Sequence, residues 1–195
     1  MSGDLISSGE ESGEVTVSVN QGEGTEGRKQ GVLLRLLVSM CQCVMDSDYH
    51  ETLANDEYAE DSPFLPPQPL AQKGRNTLIL DLDETLIHSS LQPQEYTDFR
   101  LTLDCDGTDN EIYVALRPGV SQFLARMADL FEVVLFTAST PNYANPILDL
   151  IDQEGHISFR LFRSACQQHP QGFLKDLSRL GRDLQHVLIV DVIPT

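Results

Sequence analysis

The hydrophobic and polar positions divide the chain into a polar N-terminal part and a patterned part that begins near Asn76. The apolar run "TLIL" that follows Asn76 is short and rich in β-forming residues, which is typical of a buried central strand. Similar runs recur in "FEVVLFTAS", "ISFRLFR" and "HVLIVDV". The segments between these runs favour helices, so the pattern predicts an α/β fold with a parallel sheet.

Two helices and a helix-like segment are expected between the strands. After Pro118 the apolar residues fall at helical spacing, and the same holds around Tyr143 and Ile147. The polar stretch "KDLSRLGRDL" is interpreted as the third helical segment. Residues 98–116 instead alternate apolar and polar positions around "DCDGTDN", which predicts a small antiparallel insert after the first strand.

Three segments precede the patterned part. Residues 1–31 are rich in Gly, Ser and Glu and are predicted to be disordered. Residues 32–45 are apolar, and two interpretations stay open: a short helix that packs on the protein, or a helix that binds a membrane surface or a partner, with Cys41 and Cys43 acylated. Residues 46–73 are acidic and then Pro-rich, which indicates a linker before a domain at 74–195.

Composition narrows the functional classes. The net charge of -17 and the pI of about 4.4 argue against direct binding to nucleic acid, which requires clustered Lys and Arg. The four cysteines show no CxxC pair, which indicates reduced thiols in an intracellular protein of the nucleus or cytoplasm. No stretch approaches the roughly 18 apolar residues of a membrane-spanning helix. The segment 32–45 leaves peripheral membrane attachment as an alternative.

Candidate chemistry lies at the ends of the predicted strands. Asp81 ends the first strand and Asp83 follows it in the loop. Thr137 ends the second strand, Asp191 ends the last, and Lys175 lies in the segment before the last strand. Ligands of open α/β sheets bind beyond the carboxyl ends of the strands. Two close carboxylates repel each other unless a cation or a shared proton relieves them, and Mg²⁺ is typical beside phosphate. One carboxylate could act as nucleophile and the other as general acid and base, although such Asp pairs also serve as turn caps.

The motifs "DLDETLIHSS", "LRPGVSQFL", "LFRSAC" and "KDLSRLGRDLQHVLIVD" follow one another between about residues 74 and 191. In this order they resemble the small phosphatases of the RNA polymerase II C-terminal domain, which belong to the haloacid dehalogenase superfamily. The resemblance implies a Rossmann-like parallel sheet and a Mg²⁺-dependent protein serine/threonine phosphatase. Its partner would be a phosphorylated protein such as the polymerase tail, and the chain itself is expected to be a monomer.

The resemblance also implies a role for each matching residue. Asp81 would be the nucleophile, and Asp83 the general acid and then the base. Thr137 would donate a hydrogen bond to the phosphoryl oxygens, and Lys175 would hold the phosphate and Asp81 together. Mg²⁺ would be bound by Asp81, by Asp83 through its backbone carbonyl, and by Asp191.

Substrate-binding residues follow from the same resemblance. Arg163 would contact the phosphate, with pairing to a surface carboxylate as the alternative. A hydrophobic pocket that accepts an apolar or proline residue beside the phosphoserine would be lined by Leu91, Leu103 and Ile112. The alternative for Leu103 and Ile112 is the ordinary core of the small sheet.

The C-terminal motif departs from the family pattern. Val192 stands where the family has a second Asp or Asn, so one oxygen ligand of the metal is lost. The chain stops at Thr195, and the resemblance implies a further edge strand and a closing helix that are missing. We therefore expect a truncated form with weak metal binding and low stability. The alternatives to an active protein phosphatase are a catalytically weak phosphopeptide-binding module and a small-molecule phosphatase or dehalogenase of the same superfamily.

Overall fold

The fold is built around one central sheet. The computed structural model describes residues 16–19, 33–36, 62–105, 108–170 and 172–192. Four strands of the sheet are parallel, as the sequence predicts: β3 (Thr77–Leu80), β7 (Glu132–Phe136), β8 (Phe159–Leu161) and β11 (Val187–Asp191). A further strand, β1 (Thr16–Val19), runs antiparallel to β11 and gives the order β1-β11-β3-β7-β8. The α/β prediction is confirmed.

A small antiparallel sheet is inserted after β3. It contains β4 (Ile87–Ser90), β5 (Phe99–Cys105) and β6 (Thr108–Leu116) in the order β4-β6-β5. The predicted hairpin is therefore confirmed as β5 and β6, and β4 is an additional strand.

Two of the three predicted helical segments are helices: α1 (Val120–Leu130) and α2 (Pro141–Ile151). Pro141 stands at the start of α2, where its missing N–H costs no hydrogen bond. The prediction for "KDLSRLGRDL" is wrong. Its first two residues end strand β10 (Gly172–Asp176), and the next four form a 3₁₀ turn, Leu177–Leu180. Its last residue begins a second 3₁₀ turn, Leu184–His186.

Each of these short turns is capped by the side chain of an aspartate. The carboxylate of Asp176 accepts a hydrogen bond from the backbone N–H of Ser178, and Gly181 ends the first turn in the left-handed conformation, at a φ of 72°. Asp183 caps the second turn by accepting from the N–H of Gln185. Asp and Gly at this spacing favour separate capped turns over one continuous helix.

Two expectations for the N-terminal part need correction. Leu33–Leu36 is a strand, β2, and not the start of a helix; it pairs antiparallel with β10, whose other neighbour is β9 (Gln167–His169). Strand β1 lies within the segment predicted to be disordered, and it occupies the edge beside β11 that was expected to lack a strand. Both strands satisfy edge N–H and C=O groups that a helix could not pair. Cys41 and Cys43, and the rest of these segments, lie outside the described residues.

The central sheet separates two hydrophobic clusters. Leu78 and Leu80 of β3 point into a cluster with both helices and the small sheet, whereas Ile79 points into the other. That second cluster includes Phe64 and Leu65, which are almost completely buried. These two residues, which lie in the segment predicted to be a linker, are therefore part of the packed domain. No helix in the described part of the chain combines the length and the apolar character needed to cross a bilayer.

Candidate active site

The carboxyl ends of the parallel strands bring the predicted residues to one edge of the sheet. Asp81 directly follows β3, Thr137 directly follows β7, and Asp191 is the last residue of β11. The backbone N–H of Asp81 donates to the carbonyl of Val190 at 3.1 Å, which continues the pairing of β3 with β11. All three residues are buried.

Lys175 joins two of these carboxylates. Its Nζ donates to Oδ1 of Asp81 at 2.7 Å and to Oδ2 of Asp191 at 2.8 Å, and its side chain has no exposed surface. Burial alone would lower the pKa of Lys175, but the charges of Asp81 and Asp191 outweigh burial and raise it. The lysine is therefore a permanently charged group at the centre of the site.

Asp83 is held separately, on the loop that follows β3. Its Oδ2 accepts a hydrogen bond from Oγ of Ser139 at 2.7 Å, and its Oδ1 accepts from the hydroxyl of Tyr143 at 2.6 Å. Burial and then the charge of Asp81 raise its pKa to about 6, against the hydrogen bonds from Tyr143 and Ser139, which lower it. Asp83 can thus carry a proton at mildly acidic pH, unlike an ordinary exposed Asp.

The loop that carries Asp83 has a fixed backbone. Glu84 adopts a left-handed conformation at a φ of 60°, which is uncommon for a residue with a side chain. The carbonyl of Glu84 accepts from Nη2 of Arg117 at 2.8 Å, and the carbonyl of Leu82 accepts from the N–H of Leu86 at 2.9 Å. A strained conformation that is held by several neighbours is typical of functional sites.

Thr137 and Arg163 lie beside the loop that follows β7. The hydroxyl oxygen of Thr137 accepts from the N–H of Ser139 at 3.0 Å. Nε of Arg163 donates to the carbonyl of Ala138 at 2.8 Å, and its guanidinium lies 4.9 Å from the centre of the Phe173 ring. These contacts place the guanidinium of Arg163 next to the carboxyl end of β7.

The three residues predicted to line a hydrophobic pocket are on or next to the small sheet. Ile112 is completely buried, so it belongs to the core and offers no surface to a ligand. Leu91 and Leu103 are partly buried and pack against the same cluster. Only these two retain surface that a peptide could contact.

Comparison with known proteins identifies the family. The profile described as NLI interacting factor-like phosphatase matches residues 76–195, more than half of the chain. The chain belongs to this phosphatase family. It is 48% identical over 132 residues to the human carboxy-terminal domain RNA polymerase II polypeptide A small phosphatase 1. That alignment covers 67% of this chain and 51% of the human protein. It is 43% identical over 147 residues to CTD small phosphatase-like protein 1 of Caenorhabditis elegans, covering 74% of this chain and 30% of that protein.

Solved structures agree with this family assignment. The fission yeast RNA polymerase II CTD phosphatase Fcp1, in a variant bound to beryllium fluoride, superposes with a TM-score of 0.51 at 26% identity. The match covers 62% of this chain and 38% of that chain. The chain spans about half, or less, of the length of the curated relatives named above.

The donor atoms at the sheet edge suit a hard cation. Oδ1 of Asp191 is buried and has no hydrogen-bond partner, and burial together with the charge of Asp81 raises the pKa of Asp191 to about 6. A divalent cation would relieve both conditions. Among the described residues no three His, Cys, Asp or Glu side chains converge on one point. The residues that would hold Mg²⁺ are Asp81 and Asp191 through their carboxylates and Asp83 through its backbone carbonyl, with water and substrate completing the shell.

Asp83 remains available to the metal as predicted, through its backbone carbonyl, whereas position 192 lacks the family's ligand. Both side-chain oxygens of Asp83 already accept hydrogen bonds, so only its backbone carbonyl is suited to the metal. Val192 has no side-chain oxygen. The resulting ligand set is sparse, which favours weak binding.

Sequence reasoning missed Ser139 and Tyr143. Tyr143 was assigned only to the apolar face of α2, although it lies in the first turn of that helix, near the carboxyl end of β7. Ser139 lies two residues after Thr137, at the same end of β7. A rule that polar residues close to these strand ends can reach the site would have found both.

Cys166 lies beside the site but is not a nucleophile. Sγ of Cys166 lies 3.8 Å from the carbonyl oxygen of Thr137. Burial raises the pKa of Cys166 to about 12, so the thiol stays protonated and unreactive.

Proposed function

We propose that the protein is a Mg²⁺-dependent phosphatase that hydrolyses phosphoserine and phosphothreonine in proteins. The observation that carries this proposal is the hydrogen bond of 2.7 Å between the buried Lys175 and Asp81. The second carboxylate, Asp83, accepts its hydrogen bonds from a different set of side chains. A nucleophile and an acid-base group need different environments, and the two aspartates have them.

In the first step an oxygen of Asp81 attacks the phosphorus, and the bond from phosphorus to the seryl or threonyl oxygen breaks. Asp83 gives its proton to the leaving oxygen, so that the product leaves as an alcohol. In the second step Asp83, now ionised, takes a proton from water. That water attacks the phosphorus, releases inorganic phosphate and restores Asp81.

The remaining residues stabilise the negative charge of the phosphoryl group. The ammonium of Lys175 balances the negative charge that accumulates near Asp81 as the phosphoryl group arrives. Thr137 and Arg163 stand at the loop where the phosphoryl oxygens would lie, and both can donate hydrogen bonds to them. When bound, Mg²⁺ would neutralise part of the charge on the phosphoryl oxygens.

A protein substrate suits the small insert. Only the three-stranded sheet β4-β6-β5 is inserted between β3 and α1, which leaves space for a peptide at the sheet edge. The names of the relatives refer to the RNA polymerase II C-terminal domain, so a phosphorylated polymerase tail is the substrate that we propose to test first. Such a substrate would require the protein to act in the nucleus.

The test measures phosphate release from matched phosphoserine, phosphothreonine and phosphotyrosine peptides, with and without Mg²⁺. We expect turnover of the first two, dependence on Mg²⁺, and loss of turnover in Asp81→Asn. Turnover that survives in Asp81→Asn, or that needs no Mg²⁺, would contradict the proposal.

Val192 supports a second candidate, a weakly catalytic phosphopeptide-binding module. Its side chain offers no ligand to the metal. The variant Val192→Asn is the discriminating one: if it raises turnover strongly and lowers the Mg²⁺ concentration needed, the natural chain is mainly a binding module. Full turnover in the natural chain, equal to that of Val192→Asn, would rule that candidate out.

A further inference from the structure

Tyr143 connects the small inserted sheet to the acid-base group. Its hydroxyl is 2.6 Å from Oδ1 of Asp83 and 2.6 Å from Oγ of Ser89, which lies on β4. The ring is buried at 3% exposure in the cluster formed by the helices and the small sheet. Packing fixes the ring, so the position of its hydroxyl is set before any substrate binds.

The direction of the hydrogen bonds follows from the chemistry of the groups. The carboxylate of Asp83 can only accept, so the single hydroxyl proton of Tyr143 points at Oδ1. Ser89 must then donate to the oxygen of Tyr143. The phenol keeps this proton at neutral pH, because the ordinary pKa of a tyrosine hydroxyl is about 10.

Ser139 completes the arrangement from the other side. Its Oγ donates to Oδ2 of Asp83 at 2.7 Å, while its backbone N–H donates to Oγ1 of Thr137 at 3.0 Å. Each oxygen of Asp83 therefore has one hydroxyl donor. Two donors on opposite oxygens fix both the position of the carboxyl group and its rotation about χ2.

We propose that Tyr143, together with Ser139, is a positioning residue that holds Asp83 in the orientation needed to protonate the leaving alcohol. This inference rests on the proposed phosphatase function. When Asp83 gives up its proton, the two hydroxyl donors stabilise the carboxylate that remains, since hydrogen bonds to a charged acceptor are the stronger kind. The bond from Ser89 makes Tyr143 a better donor, because hydrogen bonds in a chain polarise one another.

A leaving group that needs no proton separates this role from a structural one. The alkoxide of serine is a poor leaving group and depends on general acid catalysis, whereas p-nitrophenolate leaves readily without a proton. We expect Tyr143→Phe, which removes only the hydroxyl, to lower kcat/KM on a phosphoserine peptide by about 10- to 100-fold, because it removes one hydrogen bond to a charged group. The kcat/KM for p-nitrophenyl phosphate should change less than about threefold, because kcat/KM reports the steps up to departure of the leaving group and not the second step, in which Asp83 acts as a base on both substrates. The Kd of the peptide should stay the same.

Matched variants refine the test. Ser89→Ala keeps the hydroxyl of Tyr143 and should give a smaller loss with the same dependence on the leaving group. Ser139→Ala should resemble Tyr143→Phe, and Asp83→Asn should show the largest difference between the two substrates.

An equal loss of kcat/KM on both substrates, or no loss on the peptide, would overturn the inference, because Tyr143 would then be structural or irrelevant. If the folded natural chain hydrolyses neither substrate, the proposed function fails and the acid role of Asp83 fails with it. Crystal structures then decide the positioning alone: it is supported if the Asp83 carboxylate rotates in Tyr143→Phe and overturned if the carboxylate stays in place.

Discussion

Asp83 is buried beside the negative charge of Asp81, and both conditions raise its pKa from 3.8 to about 6. The folded state therefore binds this proton more tightly than the unfolded chain does. The contribution of Asp83 to stability is fully present below the unfolded value of 3.8 and is lost as the pH rises through about 6. Above that pH the buried, ionised carboxylate lowers the stability of the folded state.

The variant Asp83→Asn should therefore be inactive on phosphoserine peptides and yet more stable than the natural chain at pH 8. The gain should disappear at pH 4, where the natural Asp83 is protonated in the folded state. Urea unfolding at both pH values measures the difference in the free energy of unfolding. The exposed Asp129→Asn is the control and should show no such change; a gain in Asp83→Asn that is the same at pH 4 and pH 8 would contradict the prediction.

At the level of secondary structure, the sequence predicted the elements whose apolar pattern is strong. The runs that became β3, β7, β8 and β11 have few polar interruptions, and parallel strands buried on both faces read in this way. "KDLSRLGRDL" failed because the local capping by Asp176 and Asp183 overrides its helix-like composition. Pairing partners far apart in sequence, such as β2 with β10, leave no local pattern to detect.

In the candidate site, too, some residues were predictable from the sequence pattern and others were not. The placement of Asp81, Thr137 and Asp191 follows from their positions at strand ends, and the topology rule was sufficient for them. The hydroxyl donors to Asp83 were not predictable from periodicity, because Tyr143 also satisfies the apolar pattern of α2. When one side chain both packs in the core and donates a hydrogen bond in the site, the sequence pattern shows only its packing role.

Strand β7 begins with a buried charge at the end of the sheet opposite the site. Glu132 is completely buried, and its carboxylate accepts from Nη2 of Arg182 at 2.7 Å and from Oγ1 of Thr77 at 2.7 Å. Nε2 of Gln68 donates to it at 3.1 Å. Burial would raise the pKa of Glu132, but the hydrogen bonds from Arg182, Gln68 and Thr77 and the charge of Arg182 lower it.

Removing the positive partner should leave that charge uncompensated. We expect Arg182→Met to lower the free energy of unfolding by about 3–5 kcal/mol, which is typical for one broken partner of a buried ion pair. The double variant Arg182→Met with Glu132→Gln should recover part of the loss, because no buried charge remains. Chemical unfolding at pH 7 measures both, and Arg126→Met in an exposed pair is the control. A double variant that is less stable than Arg182→Met alone would contradict this explanation.

For the whole molecule, the packed domain extends further toward the N-terminus than the family match, which begins at residue 76. Phe64 is 7% exposed, its ring meets that of Phe136 edge-on at 6.1 Å, and the guanidinium of Arg179 lies 4.4 Å from its centre. The backbone N–H of Phe64 donates to the carbonyl of Arg179 at 2.7 Å. Phe136 in turn lies 5.8 Å below the ammonium of Lys175, so the N-terminal segment supports the strand that carries the site.

Phe64→Ala should therefore destabilise the full chain as a core substitution does, by about 3–5 kcal/mol, because it leaves a cavity in the second cluster. Leu70→Ala is the matched control: Leu70 lies in the same segment but is 90% exposed, and its loss should change the free energy of unfolding by less than about 0.5 kcal/mol. Urea unfolding of the three proteins under one condition makes the comparison. Equally small changes in the free energy of unfolding at both positions would mean that residues 62–72 are a linker that does not contribute to the core. A large effect at Phe64 alone means that any shortened version of this chain must retain Phe64, because a domain cut at residue 74 would lose part of the core beneath Phe136 and Lys175.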